Sequence, residues 1–134
     1  MKTSPTRILI VDDDHLMLTL LTGVLKLEGY TLVDRAKSGK EALEKCAENP
    51  PDIIFMDIEM PEMNGIEAMQ ALHEKGIKSH VILVSANPKT QYVMSAKEKQ
   101  ASGFVVKPLS AKIVSDAIDK CLKKTHPGQA GTEV

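Results

Sequence analysis

Four short apolar runs in this 134-residue chain each end on a group able to do chemistry. The run 8–11 leads to Asp12 and Asp13, the run 53–56 to Asp57, the run 81–84 to Ser85, and the run 104–106 to Lys107 and Pro108. Open α/β sheets bind ligands outside the carboxyl ends of their strands, so parallel pairing of these runs would gather all of the groups in one crevice. Three carboxylates, a hydroxyl and an ammonium placed together suit a divalent cation and a phosphoryl group.

Crowded carboxylates raise one another's pKa unless a cation sits among them. Magnesium meets that demand: it takes hard oxygen ligands, keeps several waters, and is commonly held by one or two carboxylates with a phosphate oxygen. A carboxylate screened in this way can attack phosphorus to give an acyl phosphate. Asp57 lies at a strand end just before the turn-forming Met60-Pro61 and Met63-Asn64-Gly65, where such a nucleophile is needed. In that reading Ser85 donates to a phosphoryl oxygen, and Lys107 pairs with the carboxylate or the phosphoryl group. Each residue also has a structural reading. Asp12-Asp13-Asp14 makes a turn with a helix N-cap, Asp14 above all; Ser85 is a satisfied hydroxyl; Lys107 is a surface charge ahead of a proline. Joint occurrence at the ends of separate strands favours function. Pro108 would fix the approach of Lys107, and proline alone makes a cis bond there accessible.

Alternating strands and helices are required to position these groups. Leu16, Met17, Leu20, Leu21, Val24 and Leu25 recur at helical spacing, as do Ala42, Leu43, Cys46 and Ala47, then Ile66, Met69 and Leu72. Ile113, Val114, Ala117, Ile118, Cys121 and Leu122 repeat the pattern in the last helix. Gly29, Asn49-Pro50-Pro51 and Gly76 end the first three helices, and Ser110 can cap the fifth. The runs 8–11, 53–56 and 81–84 are apolar without alternation, as parallel strands covered on both faces should be. The run 30–33 is more polar and suits an edge. Five βα units with right-handed crossovers predict a flavodoxin-like, doubly wound five-stranded parallel sheet of order 2-1-3-4-5 with five helices. Between Asn87 and Gly103 the apolar stripe is thin, Val93, Met94, Ala96 and Ala101, so the fourth helix should be weakly held.

Composition narrows the class further. An apolar content of 43% fits one domain whose core needs no disulfides. Cys46 and Cys121 lack metal-ligand spacing and read as small buried hydrophobes. No stretch approaches membrane-spanning length, and residues 1–5 carry no signal-type segment, so a soluble, reducing, cytoplasmic setting is expected. A net charge of −1 argues against direct nucleic-acid binding. The charge is uneven: through Pro88 nine Lys/Arg face fourteen Asp/Glu, and from Lys89 onward eight face four. The basic second part is either solvated helix surface or a docking face for a partner. After Lys124 the sequence is polar, giving a domain over 1–124 and a flexible tail over 125–134 in which His126 is a tail residue, not a ligand.

Val11-Asp12-Asp13-Asp14, the run from Asp57 to Gly65, Ser85-Ala86, and Gly103-Phe104-Val105-Val106-Lys107-Pro108 come in an order and spacing that resembles the receiver domain of two-component response regulators, above all the single-domain chemotaxis type. The likeness runs from about Arg7 to Lys124. It implies Asp57 as phospho-acceptor, Asp12 and Asp13 as a magnesium pocket shared with Asp57 and completed by the backbone carbonyl of Glu59, Ser85 as switch hydroxyl, Phe104 as switch aromatic, and Lys107 as the family's lysine. A histidine kinase or histidine phosphotransfer protein would supply the phosphoryl group, and the face of the fourth helix, fifth strand and fifth helix would control an output partner. Self-catalysed phosphotransfer and dephosphorylation are implied, without turnover of a substrate; a phosphorylation-dependent dimer stays open. Some positions depart from the common form. Phe104 replaces a frequent Tyr and has no hydroxyl to report the switch; Gln100 stands where a helix-ending Gly is usual; Glu59 and Asn87 flank the path of an attacking water. Rival readings are a haloacid-dehalogenase-type phosphatase, for which Leu16 stands where Thr is wanted, an FMN carrier, whose phosphate would clash with Asp12-Asp13, and a phosphorylation-independent interaction module.

Overall fold

The computed structural model describes residues 5–87 and 89–124, the side chains of 90–92 and 124 excepted; the expected tail over 125–134, His126 included, lies outside them. Strands and helices alternate: β1 (Arg7–Val11), α1 (His15–Leu27), β2 (Leu32–Ala36), α2 (Gly39–Glu48), β3 (Ile53–Asp57), α3 (Gly65–Glu74), β4 (His80–Ser85), α4 (Thr90–Glu98), β5 (Gly103–Val106) and α5 (Ala111–Lys124). All strand pairs are parallel, in the order β2-β1-β3-β4-β5. The expected fold is therefore the observed one, with β1 and β3 flanking the switch point.

Unbroken apolar strands have two faces to bury, and both are covered. Ile8, Ile10, Ile53, Phe55, Ile82 and Val84 point to one side, where Leu18, Leu21 and Leu25 of α1 and Val114, Ile118 and Cys121 of α5 close over them. Leu9, Val11, Ile54, Met56, Val81 and Leu83 point to the other, against α2, α3 and Ala96 of α4. Both cysteines are buried, and burial pushes the Cys46 thiol up to about 11, as befits a packing residue.

Two details differ from the sequence expectation. In α1 the core contacts are made by Leu18, Leu21 and Leu25, whereas Leu16 and Leu20 are 61% and 54% exposed. The segment is apolar almost all round, so periodicity alone left two faces nearly equivalent, and packing against β1 and α5 chooses between them. β2 begins at Leu32, not at residue 30. Tyr30 cannot join the sheet because its N–H is committed to the Leu25 carbonyl at 3.0 Å.

That bond belongs to a Schellman motif, in which the residue after the cap is left-handed and two N–H groups turn back onto the last turn. α1 and α3 close this way through Gly29 at φ 98° and Gly76 at φ 79°. α4 closes with the same bonds, Gln100 N–H to Lys97 and Ala101 N–H to Ala96, but through Gln100 at φ 63°. A side chain there meets the steric penalty of the left-handed region. α4 is thinly packed as expected: among its described side chains only Ala96 is buried. Gln100→Gly should raise the unfolding free energy by about 0.5–1 kcal/mol, the left-handed penalty less glycine's extra chain entropy. Urea titration would show a higher midpoint at constant slope, and an unchanged or lower midpoint would refute it.

Candidate functional site

The carboxyl ends of β1, β3 and β5 meet at one cleft of about 390 Å³ lined by Asp12, Asp13, Asp14, Asp57, Glu59, Ala86, Asn87, Lys89 and Lys107. Lys107 bridges it. Its Nζ lies 3.1 Å from Asp12 Oδ2 and 3.1 Å from Asp57 Oδ1. Asp12 and Asp57 are both buried, while Asp13 is exposed at the rim. The Lys107–Pro108 peptide is cis.

Local structure explains each placement. Asp14 caps α1 by accepting from the Leu16 N–H at 3.0 Å, its expected structural role, and its own N–H donates to Asp12 Oδ1 at 2.9 Å. Asp12 thus has one oxygen on the turn and the other on the lysine. After β3 the chain doubles back: Gly65 N–H reaches the Ile58 carbonyl at 3.0 Å, and Asn64 and Glu67 cap α3 reciprocally at 2.8 and 2.9 Å. A Cβ on Gly65 would lie 2.3 Å from the Asp57 backbone oxygen. Gly65 therefore lets α3 start directly beneath Asp57, a role that its reading as a turn residue did not include.

Burial, and then the charge of Asp12, push the Asp57 carboxyl up to about 6, with Lys107 offsetting part of the rise. Burial alone would lower the Lys107 ammonium, but Asp57 and Asp12 together hold it above the ordinary lysine value. Asp57 Oδ1, although at ion-pair distance from Lys107, is buried without a hydrogen-bond partner among the described residues. One carboxylate oxygen from each of Asp12, Asp13 and Asp57 lies within 4.8 Å of the others. Three hard oxygen donors this close together are the kind of set that would hold magnesium. Hard donors, an incompletely satisfied buried oxygen and crowded negative charge all fit that metal.

Ser85 is 0% exposed and sits behind the cleft wall. Its Oγ lies 2.9 Å from both Glu59 Oε2 and the Asn87 carbonyl oxygen, and it accepts from the Asn87 N–H at 3.0 Å. Phe104 does not line the cleft; it packs half-buried against the core on the α2–α3–α4 side of the sheet. The structure therefore brings Asp12, Asp13, Asp57, Glu59 and Lys107 together, keeps Ser85 one layer back, and leaves Phe104 apart.

A doubly wound parallel sheet with three aspartates and a bridging lysine at its switch point defines a class of α/β domain. Residues 8–119 match the family model of the response regulator receiver domain, and the chain belongs to that family. It is 39% identical over 116 residues to the chemotaxis protein CheY of Bacillus subtilis, covering 87% of this chain and 97% of that one. It is 38% identical over 117 residues to CheY of Thermotoga maritima, covering 87% and 98%. Among solved structures, the CheX–CheY–BeF3–Mg complex of Borrelia burgdorferi matches with a TM-score of 0.80 and 35% identity, over 85% of this chain and 87% of that one. A CheY-like receiver domain from Methanospirillum hungatei matches with a TM-score of 0.85 and 26% identity, over 93% and 99%. Receiver domains are signalling proteins, not turnover enzymes, and the phosphatase alternative finds no support in these likenesses.

A raised carboxyl pKa means that the folded state holds its proton more tightly than the unfolded state. The stability this gives is full below about pH 3.8 and is lost as pH rises through about 6. In EDTA at pH 7.5, Asp57→Asn should therefore be more stable than the parent by about 2–3 kcal/mol, with near parity at pH 4. Added magnesium should narrow the gap by binding the parent. Urea unfolding at the two pH values checks this; a variant no more stable at pH 7.5 would contradict it.

Proposed function

We propose that this chain is the phosphorylated switch of a two-component system, with Asp57 as acceptor. The observation that carries the reading is the Lys107 ammonium, 3.1 Å from both Asp12 and Asp57 at the mouth of a cleft rimmed by Asp13. A carboxylate oxygen of Asp57 attacks phosphorus in line, and the bond from phosphorus to the donor's imidazole nitrogen breaks as the acyl-phosphate bond forms. Asp12, Asp13, Asp57 and the Glu59 backbone carbonyl would hold magnesium, which supplies charge neutralisation for the incoming group. Lys107 then pairs with the phosphoryl oxygens, and Ser85 turns its hydroxyl toward them. Phe104 follows Ser85 by repacking. The acyl phosphate is both made and hydrolysed at this site without a second enzyme's active site.

The donor is a histidine kinase or a histidine phosphotransfer protein. Exposed Leu16, Leu20 and Leu27 share one face of α1 with Gly23, spaced four, three and four residues apart. That ridge starts beside the cleft and fits a partner helix, which would bring a histidine within reach of Asp57. The output face comprises α4, β5 and α5, where exposed Met94, Val106 and Ile113 lie among the lysines of the basic second part. Likeness to CheY proteins supports a chemotactic output. Two cysteines buried as packing residues support a cytoplasmic setting, and no helix among the described residues is long and apolar enough to cross a membrane.

Acetyl phosphate with magnesium should add one acid-stable, base-labile phosphoryl group, absent from Asp57→Asn; intact-mass spectrometry retaining the label in that variant would refute the assignment. The α1 ridge has its own test. Leu16→Lys with Leu20→Lys should slow transfer from a phosphorylated histidine donor about tenfold while leaving uptake from acetyl phosphate within about twofold, a difference of roughly 1.4 kcal/mol in docking. Equal slowing with both donors would place the ridge inside the chemistry and not in recognition.

A further inference from the structure

The surroundings of Ser85 contain more acceptors than its hydroxyl can serve. Glu59 Oε2 and the Asn87 carbonyl oxygen both stand 2.9 Å from Oγ, and the Asn87 N–H already donates to that oxygen at 3.0 Å. A serine hydroxyl has one proton, so the two acceptors compete. Hydrogen bonds to an ionised acceptor are roughly twice as strong as neutral ones, which gives the proton to Glu59. Ser85 is fully buried, so bulk water does not replace either partner, whereas Glu59 is an exposed residue of the cleft wall with room to swing outward.

We infer that Glu59 is a latch: in the resting protein its carboxylate holds the Ser85 hydroxyl, standing in for the phosphoryl oxygen that later takes the same bond. The inference rests on the reading of Asp57 as phospho-acceptor and adds a regulatory role for a neighbouring side chain. Two effects of phosphorylation release the latch in the same direction. A phosphoryl group brings about −1.5 to −2 of charge into the cleft that Glu59 lines, and like charge drives the carboxylate toward solvent. The same group offers Ser85 more strongly charged acceptors than the one it loses.

Release would reach other elements directly. The Ser85 carbonyl accepts from the Lys107 N–H at 2.9 Å, and Asn87, whose N–H donates to Ser85 Oγ and whose carbonyl is the competing acceptor, leads into α4. Among its described side chains α4 buries only Ala96, so a change in the Ser85–Asn87 turn meets little resistance there. Glu59 is thus a positioning residue for the switch and takes no part in bond formation.

A double-mutant cycle separates the latch from general charge repulsion. Binding of beryllofluoride with magnesium is measured by calorimetry for the parent, Glu59→Ala, Ser85→Ala and the double variant. Glu59→Ala should tighten apparent affinity about tenfold, because only the weaker, neutral Asn87 carbonyl then holds the Ser85 hydroxyl at rest and one negative charge has left the cleft. In the Ser85→Ala background only the charge effect remains, so the gain should fall to about twofold. An equal gain in both backgrounds overturns the latch. The same four proteins are also unfolded in urea without any anion. There the two substitutions should be coupled by at least about threefold in the folding equilibrium constant, and strict additivity overturns the contact itself. A parent that binds no beryllofluoride would instead count against Asp57 as acceptor, and the unfolding cycle would still decide the contact.

Discussion

One ammonium group holds the end of three strands together. Lys107 follows β5, Asp12 follows β1 and Asp57 ends β3, and without a cation between them the two buried carboxylates would repel each other across the switch point. Buried ion pairs are poor sources of stability, because desolvation of the partners offsets their attraction. The rise of Asp57 to about 6 with Lys107 beside it says that the compensation here is incomplete. A site left short of positive charge is a site that gains by taking up a metal ion, and that is the condition for drawing a phosphoryl group toward a carboxylate.

Everything beneath the cleft serves to keep that deficit in place. Five parallel strands buried on both faces make a rigid base, and the doubly wound order puts β1 beside β3 so that their acidic ends adjoin. Gly65 allows α3 to begin against the Asp57 backbone, and the Asn64–Glu67 capping box fixes the loop between them. Rigidity is unevenly shared. β3 is buried at every residue, whereas α4 keeps one buried side chain among those described and ends on a left-handed glutamine. The chemistry stands on the firm part of the fold, and the segment free to respond stands next to it.

The apolar runs, their polar endings and the turn residues were enough to read the sheet order, the helices, the weak fourth helix and the gathering of Asp12, Asp13, Asp57 and Lys107. These features follow from period, burial and topology, which a sequence expresses directly. What it expressed poorly was side-chain direction. Apolar residues surround α1, so Leu16 and Leu20 looked like core until Leu18, Leu21 and Leu25 were seen to fill it. Tyr30 carries strand-type character, but the N–H that a strand would need closes the Schellman motif of α1. The contact between Glu59 and Ser85 joins residues 26 apart through a flexible carboxylate, and no spacing rule predicts it. Gly65 did carry a signal: a glycine in the first turn of a helix, where alanine has the better propensity, marks a close backbone approach.

These features bear on how such a domain can rest in one state and change readily. A ligand shifts an equilibrium only by its differential affinity for the two conformers, so the resting arrangement must be held by contacts that a phosphoryl group can replace at little cost. A Ser85 hydroxyl left unpaired in the interior would give phosphorylation a large gain but would burden the resting fold with an unsatisfied donor. A hydroxyl held by a buried, immovable acceptor would resist release. An exposed carboxylate at 2.9 Å meets both needs, since it satisfies the donor at rest and is itself repelled by the charge that signals the change. In the proposed switch the thin packing of the described part of α4 completes the balance, because a segment that follows Ser85 there has few apolar contacts to surrender.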